Sequence, residues 1–191
     1  MRVAMILAVG LTLAAHPAAA ADGKALFADK GCPACHGEGG AQPVDSAPIL
    51  AGQNGTYLGK QLKDFAENHR ATTTPLPMPE VAKGLSSEEI STLAAWLSIL
   101  PRHGVKQDEE GEGADLFIDH GCHGCHGPGG GKPLSPDYPV IGGQKKDYLA
   151  GQIRNIRDDV RINGRARLMI SFARDLTDAQ VEKIAGYLAG N

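Results

Sequence analysis

Aromatic side chains are scarce, with one Trp, four Tyr and four Phe among 191 residues, so ring packing cannot supply much of a core. Basic charge is in no excess either, with 19 Lys and Arg against 22 Asp and Glu, which argues against nucleic-acid binding. No apolar run beyond the first twenty residues approaches the roughly 20 needed to span a bilayer. No segment alternates with a convincing strand period, so the chain reads as all-α. Cysteine is limited to four, too few for a disulfide-dense scaffold. Glycine and proline, in contrast, are plentiful at 25 and 12.

The opening MRVAMILAVGLTLAAHPAAAA has one positive charge at Arg2, an apolar stretch and then small residues, the pattern of a secretory leader over residues 1–21. Its apolar core is short for a membrane span, although a retained leader serving as a peripheral membrane anchor stays open. Export to a bacterial periplasm follows. Without Arg2 the balance is 18 basic against 22 acidic side chains, a formal charge of −4. The remaining roughly 170 residues suit one domain or two small ones, and domains of about 85 residues usually need a metal, disulfides or a large cofactor.

The chain repeats itself. ALFADKGCPACHGEGG from Ala25 lies over DLFIDHGCHGCHGPGG from Asp115 at an offset of about 90 residues. PILAGQNGTYLGKQLKDFAENHR from Pro48 then lies over PVIGGQKKDYLAGQIRNIRDDVR from Pro139, with one residue inserted between the two matches. Further on, Met78 meets Met169, Leu85 meets Leu176 and Trp96 meets Tyr187. The two copies occupy residues 22–105 and 114–191. Between them PRHGVKQDEEGEG reads as a solvated acidic connector, with 106–113 as the linker proper.

Helical signals recur in each copy. A short opening helix carries GKALF or GADLF, and a middle helix is expected over roughly Thr56 to His69 and Lys145 to Val160. Each copy ends in a capped amphipathic helix. Ser86 with Glu89 and Thr177 with Gln180 form the capping boxes. Ile90, Leu93, Ala94 and Leu97 in one, and Val181, Ile184, Ala185 and Leu188 in the other, face inward.

Both copies hold C-x-x-C-H: Cys32, Cys35 and His36, then Cys122, Cys125 and His126. Covalent haem attachment needs this pattern, because two thiols add to the porphyrin vinyl groups while the adjacent histidine reaches the iron. A closed zinc site needs four ligands, and pairs this far apart fall outside zinc-ribbon spacings. A redox disulfide would be placed near a βαβ pattern, which is absent. Neither accounts for the histidine after both pairs. His123 has Pro33 as its counterpart, so His120 and His123 read as exposed bystanders.

Only two methionines follow the leader, and the repeat sets Met78 and Met169 in register. A lone methionine is usually a core gap-filler, but pairing and scarcity here favour the second axial ligand of each iron. His69 and His103 are the rivals, and His69 has Val160 as its counterpart. Histidine and methionine together leave no open coordination position, so each haem carries single electrons. Pro48 and Pro139 either offer a carbonyl to the proximal histidine's other nitrogen or simply shape a turn. The apolar faces expected against the haems are Phe27, Leu50, Tyr57, Leu58 and Leu97, then Phe117, Ile141, Tyr148, Leu149 and Leu188.

Tandem GxxLF, CxxCHG, the PILAGQ and PVIGGQ motifs, and M-x6-L ahead of a helix resemble the dihaem cytochromes c of the cytochrome c4 type, over essentially the whole chain after the leader. That resemblance implies two tandem class I cytochrome c domains related by pseudo-twofold symmetry, with haems near the interface and no enzyme activity. It implies two covalently bound c-type haems, with thioethers at Cys32, Cys35, Cys122 and Cys125. The implied iron ligands are His36 with Met78 and His126 with Met169. It also implies a periplasmic shuttle whose redox partners are a terminal oxidase, a cytochrome bc1-type complex or a dehydrogenase. The chain is similar, too, to the cytochrome subunit of flavocytochrome sulfide dehydrogenases. PLPMPE departs from ARLMIS, so the two distal loops should differ in stiffness. Arg154, Arg157, Arg161, Arg165 and Arg167 either pair with propionates or with Asp158 and Asp159, or form a docking patch.

Overall fold

The computed structural model describes residues 17–44, 47–73, 77–106 and 110–189, with side chains from residue 22 onward. Most of the expected leader, and Asp108 and Glu109 of the acidic run, lie outside the described residues. Among the described residues ten α-helices follow in order: α1 (Pro17–Asp29), α2 (Pro33–His36), α3 (Gly55–Ala66), α4 (Met78–Lys83), α5 (Ser87–Ser98), α6 (Glu112–Asp119), α7 (His123–His126), α8 (Lys146–Arg157), α9 (Ala166–Ala173) and α10 (Asp178–Ala189). Among the described residues there is no strand, and no helix is long and apolar enough to cross a membrane.

Each half repeats one packing scheme. The opening helix crosses the final one, α1 on α5 and α6 on α10, while α3 and α8 pack against these final helices and against the methionine-bearing helices α4 and α9. Gly23 and Gly113 make the crossings possible. A Cβ on Gly113 would lie 2.4 Å from Lys183 O and 2.8 Å from Tyr187 Cβ, and one on Gly23 would lie 2.3 Å from Trp96 Cβ. Four of the nine aromatics pack here, Phe27 on Trp96 at 5.2 Å between ring centroids and Phe117 on Tyr187 at 5.7 Å. The expected inward residues of α5 and α10 are buried, and both capping boxes form, with Glu89 N donating to Ser86 Oγ at 3.1 Å and Gln180 N to Thr177 Oγ1 at 3.3 Å.

The middle helices stop three residues short of the expected ends, for a local reason. Asn68 and Asp159 both take φ 56°, and His69 N→Asp64 O and Val160 N→Asn155 O close the reversed turn in each half. Asn and Asp are the non-glycine residues that best accept this left-handed geometry.

The two halves meet along a polar seam. Gln53 and Asn54 of the first half bond to Val140 and Tyr138 of the second, and Gln144 returns the contact to Ile49. Behind this lies a second reciprocal set. Arg70 donates to Tyr148 Oη at 2.8 Å and Arg161 to Tyr57 Oη at 3.0 Å, and both also donate to Gln61 and Gln152. These exchanged contacts are what pseudo-twofold symmetry looks like at the level of side chains.

The connector is not free chain over its first part. Arg102 is mostly buried and donates to Gly142 O, Ile49 O and Ala51 O, touching both halves. Among the described residues no carboxylate pairs with it, and burial pulls its guanidinium down to about 10. Residues 103–106 then lie against glycines of the second half, where a Cβ on Gly143 would meet His103 O at 2.1 Å and one on Gly129 would meet Lys106 O at 2.2 Å.

Candidate functional site

Each cysteine motif is positioned by the helix before it. Gly31 and Gly121, at φ 71° and 70°, end α1 and α6 in a left-handed turn that swings the chain into the motif. Cys32 N→Phe27 O and Cys122 N→Phe117 O tie that turn to the aromatic residue of each opening helix. A single helical turn, α2 or α7, then carries the second cysteine and the histidine round to the interior. His36 and His126 are only 6% and 3% exposed.

His36 Nδ1 lies 3.0 Å from Pro48 O, and His126 Nδ1 lies 3.0 Å from Pro139 O. A carbonyl only accepts, so Nδ1 must carry the proton in both rings and Nε2 is left as the nitrogen available to a metal. Burial holds both imidazoles below their ordinary value, against a smaller opposing effect of the proline carbonyl. Both are therefore neutral rings, the state a metal ligand requires. No disulfide joins any of the four cysteines, so each pair stands available for thioether attachment.

One continuous cavity of about 920 Å³ runs through both halves and is bordered by all four cysteines, both buried histidines, Met78 and Met169. All ten residues expected to supply apolar faces border it as well. Met78 opens α4 directly after Pro77, whereas Met169 sits within α9. The rivals His69 and His103 are exposed and do not border the cavity. Among the bystanders, His123 is exposed as expected. His120 is half-buried, a departure that follows from its place at the end of α6.

Arginine placement differs in part from expectation. Arg157 bonds Asp158, but Asp159 pairs with Arg174, Arg154 with Asp178 and Glu182, and Arg165 with Asp137. Arg161, like its counterpart Arg70, is buried in the seam and pairs with hydroxyl and amide groups rather than carboxylates. The repeat pointed at this pair, but each arginine's tyrosine and one of its glutamines come from the other half, which one copy's sequence does not show. Gln53 and Gln144 hold the seam as well, and the GQ that recurs in both copies is the signal that marks them.

The donor set fits a haem in each half. Paired thiols, a neutral imidazole braced at Nδ1 and a thioether all border a largely apolar cavity, whereas the described residues gather no third ligand for zinc beside either cysteine pair. A cytochrome c family model matches residues 20–101, and the model for subunit III of cbb3-type cytochrome c oxidase, another cytochrome module, matches residues 108–188. Cytochrome c4 of Pseudomonas aeruginosa is 34% identical over 98% of this chain and 96% of its own length. The chain belongs to the cytochrome c4 family. The crystal structure of reduced recombinant cytochrome c4 from Pseudomonas stutzeri has a TM-score of 0.74 at 32% identity, covering 90% of this chain and 97% of that one. A thiosulfate dehydrogenase electron acceptor from Stutzerimonas stutzeri is 31% identical over 95% of this chain and 91% of that protein.

Cytochrome c4 membership gives the chain two tandem class I cytochrome c domains, two covalently bound c-type haems and a role in electron transfer rather than catalysis. When bound, each haem supplies an iron that gains or loses one electron. The protein's part is to surround the cavity with apolar side chains, to brace the His36 and His126 rings through proline carbonyls and to join the two halves along the seam.

Proposed function

We propose that this protein is a periplasmic electron carrier whose irons are ligated by His36 with Met78 and by His126 with Met169, and whose haems are attached through Cys32 with Cys35 and Cys122 with Cys125. On this reading residues 1–21 are the export leader, 22–105 and 114–191 are the haem domains, and 106–113 link them. The observation that carries the ligand assignment is the duplicated brace: in each half a proline carbonyl holds the proton of Nδ1, and the in-register methionine borders the same cavity. Two axial side chains per iron leave no position for oxygen or peroxide, which suits a shuttle.

Similarity to a thiosulfate dehydrogenase electron acceptor supports a dehydrogenase on the donor side, with a terminal oxidase or another respiratory complex receiving the electrons. The test is spectroscopic. The ferric protein should be low-spin with the near-red sulfur-to-iron band, and Met78→Ala and Met169→Ala should each remove about half of it. An unchanged band in either variant overturns that ligand. Purification from periplasm distinguishes a free carrier, which emerges alone, from a subunit that copurifies with a catalytic chain.

A further inference from the structure

The two glutamines of the seam are placed where they can act on the opposite domain's haem. Gln53 Oε1 accepts from Val140 N at 2.7 Å while its Nε2 donates to Val140 O at 2.8 Å. Gln144 does the same to Ile49, accepting from N at 2.7 Å and donating to O at 3.0 Å. Val140 follows Pro139, and Ile49 follows Pro48. The N–H that each glutamine accepts therefore belongs to the same planar peptide unit as the carbonyl that braces the proximal histidine. Two crossed relays result. One runs from His126 Nδ1–H through the Pro139–Val140 peptide to Gln53, and the other from His36 Nδ1–H through the Pro48–Ile49 peptide to Gln144.

We propose that Gln53 and Gln144 are crossed positioning residues, each setting the proximal hydrogen bond, and so the redox potential, of the haem in the other domain. The inference rests on the reading of His36 and His126 as iron ligands. Accepting the N–H of an amide drives charge onto its carbonyl oxygen, so hydrogen bonds in a chain strengthen one another. A stronger acceptor at Pro139 or Pro48 makes the imidazole a more basic ligand and favours the ferric iron. Burial hinders water from substituting for either glutamine, Gln53 being 5% exposed and Gln144 4%, and it is fuller at Val140, 8% exposed, than at the half-buried Ile49. Neither amide can be reversed, since backbone N–H groups only donate and carbonyls only accept. The repeat retains GQ in both copies for a contact that exists only when the copies face each other.

The experiment uses full-length holoprotein carrying Gln53→Met or Gln144→Met, which keep the side chain's length and remove both hydrogen bonds. The haems are assigned by nuclear Overhauser contacts to Phe27 and Phe117, and the potential of each is measured. Gln53→Met should raise the potential of the haem on Cys122 and Cys125, increasing its ferrous-to-ferric ratio at fixed ambient potential about threefold to tenfold, or about 30–60 mV at 59 mV per decade. The haem on Cys32 and Cys35 should move by less than half as much, and Gln144→Met should give the mirror result. The Nδ1–H resonance of His126, and not of His36, should shift in ferrous Gln53→Met. Asn54→Ala, which breaks the neighbouring bond to Tyr138 O without touching either relay peptide, should leave both potentials in place. Equal shifts at both haems, a shift confined to the mutated domain, no shift, or an equal effect of Asn54→Ala overturns the crossing. A His126 Nδ1–H signal without a hyperfine shift in the ferric wild type removes the ligand reading itself, and the proposal with it. A hyperfine-shifted signal with uncrossed potentials removes the crossing alone.

Discussion

Gly113→Ala sets helix propensity against sterics in the crossing of α6 on α10. Alanine is favoured over glycine in a helix by about 1 kcal/mol, so on local grounds the substitution stabilises. The structure reverses that sign. The new methyl group would stand 2.4 Å from Lys183 O and 2.8 Å from Tyr187 Cβ, when ordinary contact begins at 3.4 Å. Both obstacles belong to the backbone or sit next to it, so no rotamer change relieves them, and α6 must back away by about 1 Å. Overpacking of this kind costs about 1–3 kcal/mol, and here it also loosens Phe117 against Tyr187. The expected net loss is about 1–2 kcal/mol. Gly186→Ala in α10 is the control, because its nearest neighbour is the flexible Lys146 Cε at 3.9 Å, and it should gain about 0.5–1 kcal/mol. Guanidinium unfolding of the holoproteins followed by far-ultraviolet circular dichroism measures both. Gly113→Ala as stable as Gly186→Ala would refute the close-crossing argument.

Tyr148→Phe and Tyr57→Phe should each lower stability by about 1–2 kcal/mol in the same unfolding assay, since each removes an acceptor from a buried guanidinium that keeps its amide partners. The double variant should depart from additivity, because Gln61 and Gln152 are shared by both arginines, and strict additivity would argue against one network. Replacing Cys32, Cys35, Cys122 and Cys125 with alanine should leave an apoprotein that is largely unfolded by circular dichroism. The cavity would then lose the macrocycles whose burial, at about 25 cal/mol per Å², is worth several kcal/mol, and full native helicity would contradict this.

What the sequence made legible was whatever is settled within a few residues or by the repeat. Haem attachment demands a fixed spacing, and so Cys32 to His36 and Cys122 to His126 could be read directly. Capping boxes at Ser86 and Thr177 are equally local. The ends of α3 and α8 were not legible, because Asn68 and Asp159 do not advertise a left-handed turn as glycine does. The fates of Arg70 and Arg161 depend on tyrosines and glutamines contributed by the other half, and no local pattern encodes that. One difference between the copies does mark the connector: where the first copy has Ala41 and Ala51, the second has Gly131 and Gly142. A Cβ on Gly131 would meet Val105 Cγ1 at 2.3 Å, so the added glycines make room for the connector.

That connector changes what duplication has made of the molecule. Two copies strung on slack chain could diffuse apart and meet again, and each would still be a complete unit. Here the first residues of the connector lie against the copies, Arg102 clasps loops of both, and the peptides whose carbonyls steady each copy's imidazole are themselves held by its sibling. Severed at the middle, the protein would yield two incomplete modules. The spacing of His36 and His126 is thus set by the seam between the copies rather than by the length of chain that joins them.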